Sequence, residues 1–469
     1  MRGTGSGNTL SAQTPASRLA SVSHTWRALR HRNFKLFFFG QSISVIGTWM
    51  TRLATAWLVY QLTHSALLLG VVSFSGQIVS FLVGPFAGVW VERMERRRLL
   101  VITQAAGAVQ SLALAALTLS HVITLGEIIA LMAFQGLINA FDMPGRQSFL
   151  IQMVEDRGDL ANAIAINSSM ANGARLIGPA IGGIIIAAFG EGWCFLIDGI
   201  SYFAVIASLL LMRIPALTGR SGSVSLLDEL REGWNYVSGF RPIRTILLLF
   251  ALTCLMGWPY SVLLPVFAGK VLHGGAHTLG WLTAASGVGA FSSALALAMR
   301  KSVVGLTRTL QAAAVLLGAG LILFGLSHVL WLSLALMVVV GFGLIQAAAV
   351  SNTIIQSLVP DDKRARVMGY YTMAFFGAAP FGSLIAGVLA QHIGAPYTVM
   401  LTGTFCIAGA GWFTLQLPKI RPEMRASYRE KELSAEREAA ARQASASITK
   451  PKMSSATPHQ RLISTPKER

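Results

Sequence analysis

Positions 330–352 read LWLSLALMVVVGFGLIQAAAVSN, with no charged side chain anywhere in the run. A helix satisfies its own backbone hydrogen bonds, and about 20 residues at a rise of about 1.5 Å cover the roughly 30 Å hydrocarbon layer of a bilayer. This stretch therefore predicts a membrane-spanning helix. The same ruler applied outward predicts eleven more, giving spans at 36–61, 66–91, 98–120, 125–145, 162–189, 193–213, 243–269, 278–299, 306–327, 330–352, 366–391 and 396–417. The expected fold is all-α, a membrane protein with twelve transmembrane helices. Composition agrees: of 469 residues, 53% are apolar and 12% charged, which is too apolar for a soluble enzyme and too hydrophobic for a disordered chain.

The formal net charge of +18 raises the question of nucleic acid, and its placement answers it. Residues 1–35 and 419–469 supply most of the excess, and the apolar body has no basic cluster interleaved with aromatics. No nucleic-acid partner is expected. Within the body the basic residues alternate by connection. One set holds Arg93, Arg96, Arg97 and Arg98, then Arg146 and Arg157, the arginines of 213–244, then Arg300, Lys301 and Arg308, and finally Lys363, Arg364 and Arg366. The opposite set carries no Lys or Arg, with Lys270 at the edge of one. Because basic short loops stay in the cytoplasm, both termini are predicted there.

The longest connection falls midway, dividing the chain into a cytoplasmic arm at 1–35, a six-helix bundle at 36–213, a cytoplasmic linker at 214–242, a second bundle at 243–418 and a charged, disordered tail at 419–469. Leu226, Leu227, Leu230 and Trp234 fall at helical spacing in the linker, which predicts a short amphipathic helix at the membrane surface. In the tail, residues 421–445 favour a solvated helix. The halves repeat one another: GLINA at 136–140 matches GLIQA at 343–347, Leu69-Gly70 matches Leu279-Gly280, Gly182 matches Gly387, and Gly190 matches Gly394. A duplication of this size marks a transporter built from two pseudo-symmetric bundles.

Charged residues inside spans are costly and normally face a cavity or a partner. Arg52, Arg175 and Asp198 qualify. Arg52 either meets substrate or counter-ion in a cavity or snorkels to the interface. Arg175 either pairs structurally or serves the pathway, and Asp198 either couples to a proton or packs. Cys194, Cys254 and Cys406 lie apart in apolar surroundings, and the nine histidines form no cluster, so no metal is expected. GxxxxGK[ST], GxSxG and HExxH are all lacking, so the chain is not expected to be an enzyme or to need a cofactor. An ion or solute gradient must supply the energy.

Two motifs identify the chain by resemblance. Gly88 to Arg98, GVWVERMERRR, is similar to the GxxxDRxGRR loop of the major facilitator superfamily, with Glu92 in the aspartate position and Glu95 in that of the second glycine. Gly178, Pro179, Gly182 and Gly183 look like the GPxxGG part of its exporter motif, although Ala174 stands where that motif usually has glycine. Residues 141–149, FDMPGRQSF, also resemble a segment of the branch that includes the bacterial enterobactin exporter. The resemblance covers about 36–418. It implies a bacterial inner-membrane secondary transporter, a monomer in the lipid bilayer, that exports small amphipathic molecules, drug-like compounds or siderophores, by alternating access with a proton as counter-ion. The alternatives are an importer on the same fold and a non-transporting receptor or scaffold.

The resemblance further implies a cytoplasmic gate from Gly88, Glu92, Arg93, Arg96 and Arg97, joined by Asp142 and Arg146, which are four apart and can pair unless Pro144 disturbs the turn. Pro179 with its glycines implies a helix bend. A cavity lined mainly by spans one, four, seven and ten would present Trp49, Asn139, Trp258, Tyr260 and Gln346, which suits an amphipathic, aromatic or uncharged solute. The arginine that many drug/proton antiporters carry early in span four is missing from Ala130 to Gly136, so proton coupling is not expected by that route.

Overall fold

The computed structural model describes residues 27–154, 156–214, 226–300 and 305–448, and among these no strand occurs. After a 3-10 turn at Arg27–Arg30 the helices are α1 (Arg32–Thr63), α2 (Ala66–Arg93), α3 (Arg96–Leu119), α4 (Leu125–Met153), α5 (Leu160–Phe189) and α6 (Glu191–Leu211). The short α7 (Leu226–Gly239) precedes α8 (Arg241–Gly257), α9 (Tyr260–Val266) and a π-helical turn at Phe267–Val271. Then come α10 (Ala276–Ala298), α11 (Leu306–Leu326), α12 (Leu330–Leu358), α13 (Asp361–Ile393) and α14 (Ala395–Ile448).

Eleven helical segments are long and apolar enough to cross a bilayer, with α8, α9 and the π turn counting as one. The twelfth span is α1, whose apolarity is diluted by Arg52 and a series of hydroxyls. Three of those hydroxyls turn back on their own helix: Ser42 donates to the Phe38 carbonyl at 2.6 Å, Thr48 to that of Ser44 at 3.0 Å and Thr55 to that of Thr51 at 2.8 Å, whereas the Thr51 hydroxyl makes no such bond. Self-satisfied donors can be buried in a bundle at little cost, and α1 packs against α5 and α6.

Three helices differ from the sequence expectation. The seventh span is broken rather than continuous, because Pro259 and Pro265 contribute no backbone donor and α8 stops at Gly257. The fourth continues to Met153, with Pro144 inside it. The twelfth runs without a break into the tail as α14, carrying Pro418 and Pro422 within it; residues 449–469 lie outside the described part. The linker helix α7 forms as expected. Trp234 on it is 58% exposed, the side chains of Leu226, Leu227 and Leu230 lie outside the described part, and Val237 is the residue that enters the core.

In the first bundle α1 packs on α5 and α6, α2 on α4, and α3 on α6; in the second α10 packs on α12, α11 on α12 and α14, and α8 on α13 and α14. The two bundles meet through α2 with α13 and α5 with α10. Small residues make these approaches close. A Cβ on Gly183 would stand 2.9 Å from the Ala276 carbonyl, and one on Gly70 would stand 2.7 Å from that of Ser383. Gly183 faces Gly280 and Gly387 faces Gly70, and a Cβ on Gly183 or on Gly387 would stand 3.0 Å from the partner Cα, so the glycines of the sequence repeat meet as pseudo-symmetric pairs. The match on this side is displaced by one residue, to Gly183 from Gly182. The repeat extends to the turns: Gly190 between α5 and α6 has φ +89°, and Gly394 between α13 and α14 has φ +88°.

The apolar core divides in an informative way. Near the connections that lack Lys and Arg, one continuous cluster joins both bundles, with Trp57, Leu69 and Phe195 from the first and Leu264, Phe267 and Ala386 from the second. Toward the basic connections the clusters are separate: one, around Phe34, Phe149 and Leu209, belongs to the first bundle, and another, around Ile246, Ile354 and Phe413, belongs to the second. The bundles are sealed together at the charge-poor face and part toward the basic face.

Candidate functional site

At mid-depth four side chains converge between the bundles. On α1, Trp49 and Arg52 are three residues apart and share a face, with the Arg52 guanidinium carbon 5.0 Å from the Trp49 ring centroid. On α5, Arg175 lies 5.6 Å from the same ring. Its other aromatic neighbour comes from the second bundle: Trp258, at 5.5 Å, sits where the seventh span breaks. Gly178 makes the arrangement possible, since a Cβ there would stand 2.6 Å from the Trp49 Cβ and 2.8 Å from the Ile46 carbonyl. The exporter-like motif is therefore the surface on which α1 and the guanidinium cluster are seated. Gly182 continues that contact along Met50, while Gly183 and Pro179 face α10.

Arg52 keeps open side-chain surface although its guanidinium stands deep within the bundle, and Tyr202, Arg175 and Asp198 are within its electrostatic reach. Asp198 itself is 1% exposed, inside the first bundle. Its Oδ2 accepts from Ser111 at 2.7 Å, and its Oδ1 has no hydrogen-bond partner. Gly47 leaves the room it occupies, as a Cβ there would meet Oδ1 at 2.7 Å.

Tyr260 and Gln346 turn toward α10 rather than toward the arginines. The Tyr260 hydroxyl is 2.6 Å from Ser286 Oγ, and Ser293 donates to Gln346 Oε1 at 2.7 Å, with both side chains buried. Asn139 is half-buried and accepts from Gln135 at 3.2 Å. Trp258, by contrast, heads an aromatic row that sequence reading did not foresee. It meets Phe375 edge-on at 5.4 Å, Phe375 lies parallel to Phe250 at 6.1 Å, and Phe250 stacks on Tyr371 at 4.5 Å. The row links helices distant in sequence, α8 with α13, so only the spacing of Tyr371 and Phe375, one turn apart, could have hinted at it.

At the basic face Asp142 is buried and accepts from Thr103 at 2.9 Å and Gln104 at 2.7 Å, and it pairs with Arg146 despite Pro144. Arg97 donates to the Leu210 carbonyl at 2.7 Å, covering the end of α6. Arg96 opens α3 at its first position. A Cβ on Gly88 would meet nothing within 4 Å, and the side chains of Glu92 and Arg93 lie outside the described part. Among the described residues, no group of three or more His, Cys, Asp or Glu is placed to hold a metal ion.

A family model described as transmembrane secretion effector matches residues 23–446. The chain is 26% identical over 392 residues to the staphyloferrin A transporter of Staphylococcus aureus (strain NCTC 8325 / PS 47), a match covering 83% of this chain and 98% of that protein. It is 25% identical over 394 residues to the multidrug efflux pump Tap of Mycolicibacterium fortuitum, covering 82% of this chain and 96% of that one. Among solved structures, a POT family transporter in complex with 5-aminolevulinic acid superposes with a TM-score of 0.68 at 14% identity, covering 83% of this chain and 96% of that chain.

Proposed function

The chain belongs to the transmembrane secretion effector family of the major facilitator superfamily, and from that membership we propose that it exports small amphipathic molecules across the bacterial inner membrane. It is a transporter and not an enzyme. The observation that carries the export mechanism is the division of the core, one cluster across both bundles at the charge-poor face and two separate clusters at the basic face. With the basic face in the cytoplasm, as the arginine asymmetry argues, this is the loading state of an exporter, its chamber open to the cell interior and its outer side closed. The arm at 1–35, the linker at 214–242 and the tail at 419–469 then all lie in the cytoplasm, and the bundles at 36–213 and 243–418 rock about the chamber as a monomer.

Discharge to the outside requires the basic face to close. The loop from Gly88 to Arg98 is the element assigned to that closure, with Glu92, Arg93, Arg96 and Arg97 meeting the second bundle, and Asp142 and Arg146 bracing the cytoplasmic part of α4 beside it. Proton entry drives the cycle in this reading. Asp198 is the carboxylate assigned to carry the proton, supported by its burial, its free Oδ1 and its reach to Arg52. Everted membrane vesicles test the scheme. Solute is expected to accumulate inside them when a proton gradient is imposed and to stop when the gradient is collapsed; accumulation that survives the collapse removes the proton from the mechanism.

A further inference from the structure

We propose that the solute class is anionic: an amphipathic organic acid whose carboxylate is received by Arg52 and Arg175 and whose apolar body lies along the aromatic row beginning at Trp258. This deepens the export reading and rests on it. The first observation is an imbalance of charge. Both guanidiniums lie within 5.0–5.6 Å of the Trp49 ring centroid, and each is within electrostatic reach of the other. Among the described residues no carboxylate lies within ion-pair distance of either. The carboxylates within the spans are otherwise engaged: Asp142 is held by Arg146, Thr103 and Gln104 inside α4, and Asp198 is buried toward Ser111 on α3.

Two like charges held inside a membrane protein with no carboxylate in direct ion-pair contact are expensive: Asp198 attracts Arg52 only from a distance while it is tied to Ser111, and the faces of Trp49 and Trp258 offset only part of the cost. A ligand carboxylate removes the rest. Guanidinium is the side chain whose fork of donors matches a carboxylate with two parallel hydrogen bonds, and stacking on indole leaves its edge donors free to do so.

The second observation is the position of the pair. Arg175 belongs to the first bundle and its neighbour Trp258 to the second, and Trp258 packs against the cluster that joins both bundles, so the site lies on the seam where the sealed part of the interface ends. Trp258 and Phe375, both half-buried, continue from it as the accessible part of the row, with Tyr371 beyond them and Phe250, 1% exposed, backing them from the core. A solute with a charged head and an aromatic or aliphatic body would touch both bundles at once, which is what a ligand must do to bias their relative arrangement. Snorkelling, the other sequence-level reading of Arg52, does not account for the Arg175 side chain sharing its aromatic neighbour.

The test uses the full chain in lipid nanodiscs and three probes of one shape: naphthalene-1-acetate, its neutral amide and 1-naphthylmethylammonium, titrated by calorimetry. The carboxylate is expected to bind at least about ten-fold more tightly than the amide, with the ammonium weakest. Arg52→Gln and Arg175→Gln should each cost the carboxylate about ten-fold while leaving amide binding unchanged, a selective loss that misfolding does not produce. Arg175→Lys, which keeps the charge and loses the fork, should retain part of the preference. Equal affinities, a preference for the ammonium, or no saturable binding of the carboxylate to the unsubstituted protein overturns the proposal. If everted vesicles then still accumulate a neutral or cationic solute, export stands without the anion; if they accumulate no solute of any charge, export itself falls.

Discussion

Asp142 ties α4 to α3 through hydrogen bonds from Thr103 and Gln104 while pairing with Arg146 on its own helix. Removing the carboxylate strands donors in a buried place, and an orphaned buried polar group costs about 1–3 kcal/mol. Asp142→Ala is accordingly expected to lower stability by about 2–3 kcal/mol in thermal unfolding of the detergent-solubilised protein. Glu95→Ala, at an exposed position with no side-chain cap bond, should stay within about 0.5 kcal/mol. The paired turn glycines allow a sharper check. Gly190 (φ +89°, ψ 172°) and Gly394 (φ +88°, ψ 153°) occupy backbone space that is essentially reserved for glycine. Gly190→Ala and Gly394→Ala should each lose about 1–3 kcal/mol, and by similar amounts, because the turns are the same turn in two copies. Markedly unequal losses in matched melts would count against that equivalence.

Helix α7 separates weak ties from strong ones. Its Glu232 pairs with Arg366 at 2.6 Å, but Glu232 is 56% exposed, and a screened pair of this kind contributes about 0–1 kcal/mol. Glu232→Ala should leave α7 docked. Gly233 is different, for a Cβ there would lie 2.9 Å from the Tyr370 ring. Gly233→Leu is expected to lift α7 from α13 and speed cleavage after Arg231 by limiting trypsin, whereas Glu232→Ala leaves that rate unchanged; the opposite ranking would show that the ion pair holds the helix. At this scale the spans were legible in the sequence because long apolar runs and basic connections are local signals. The break at Pro259 was written in the sequence too, yet the surrounding apolarity masked it, since hydropathy does not register a missing N–H. The end of α4 was placed too early because charge at Arg146 reads as a loop, whereas here Asp142 neutralises it within the helix. The meeting of Arg52, Arg175, Trp49 and Trp258 joins three spans far apart in sequence, and no local pattern encodes it.

For the molecule as a whole, transport by rocking bundles requires the charge-poor face to open. In the present state that face is closed by α2 against α13, and at its rim Ser65 Oγ donates to Gln391 Oε1 at 3.2 Å, one residue from each bundle. If the bundles rock, these two positions separate once per cycle, and a covalent tie between them stops every cycle at the same point. Cysteines at both positions, Ser65→Cys with Gln391→Cys, are expected to cross-link on mild oxidation. The native Cys194, Cys254 and Cys406 are all buried and so compete little for the oxidant. Solute accumulation in everted vesicles should then fall to background and return when the disulfide is reduced, while either single variant is indifferent to oxidant. Binding of a solute added at the basic face should persist in the cross-linked protein, because the cores of the two bundles are already separate there; losing binding together with transport would mean that the tie had distorted the site instead of locking a gate. Transport continuing in fully cross-linked protein would show that solute leaves by a path that does not require α2 and α13 to part, and alternating access by rocking bundles would have to be abandoned for this chain.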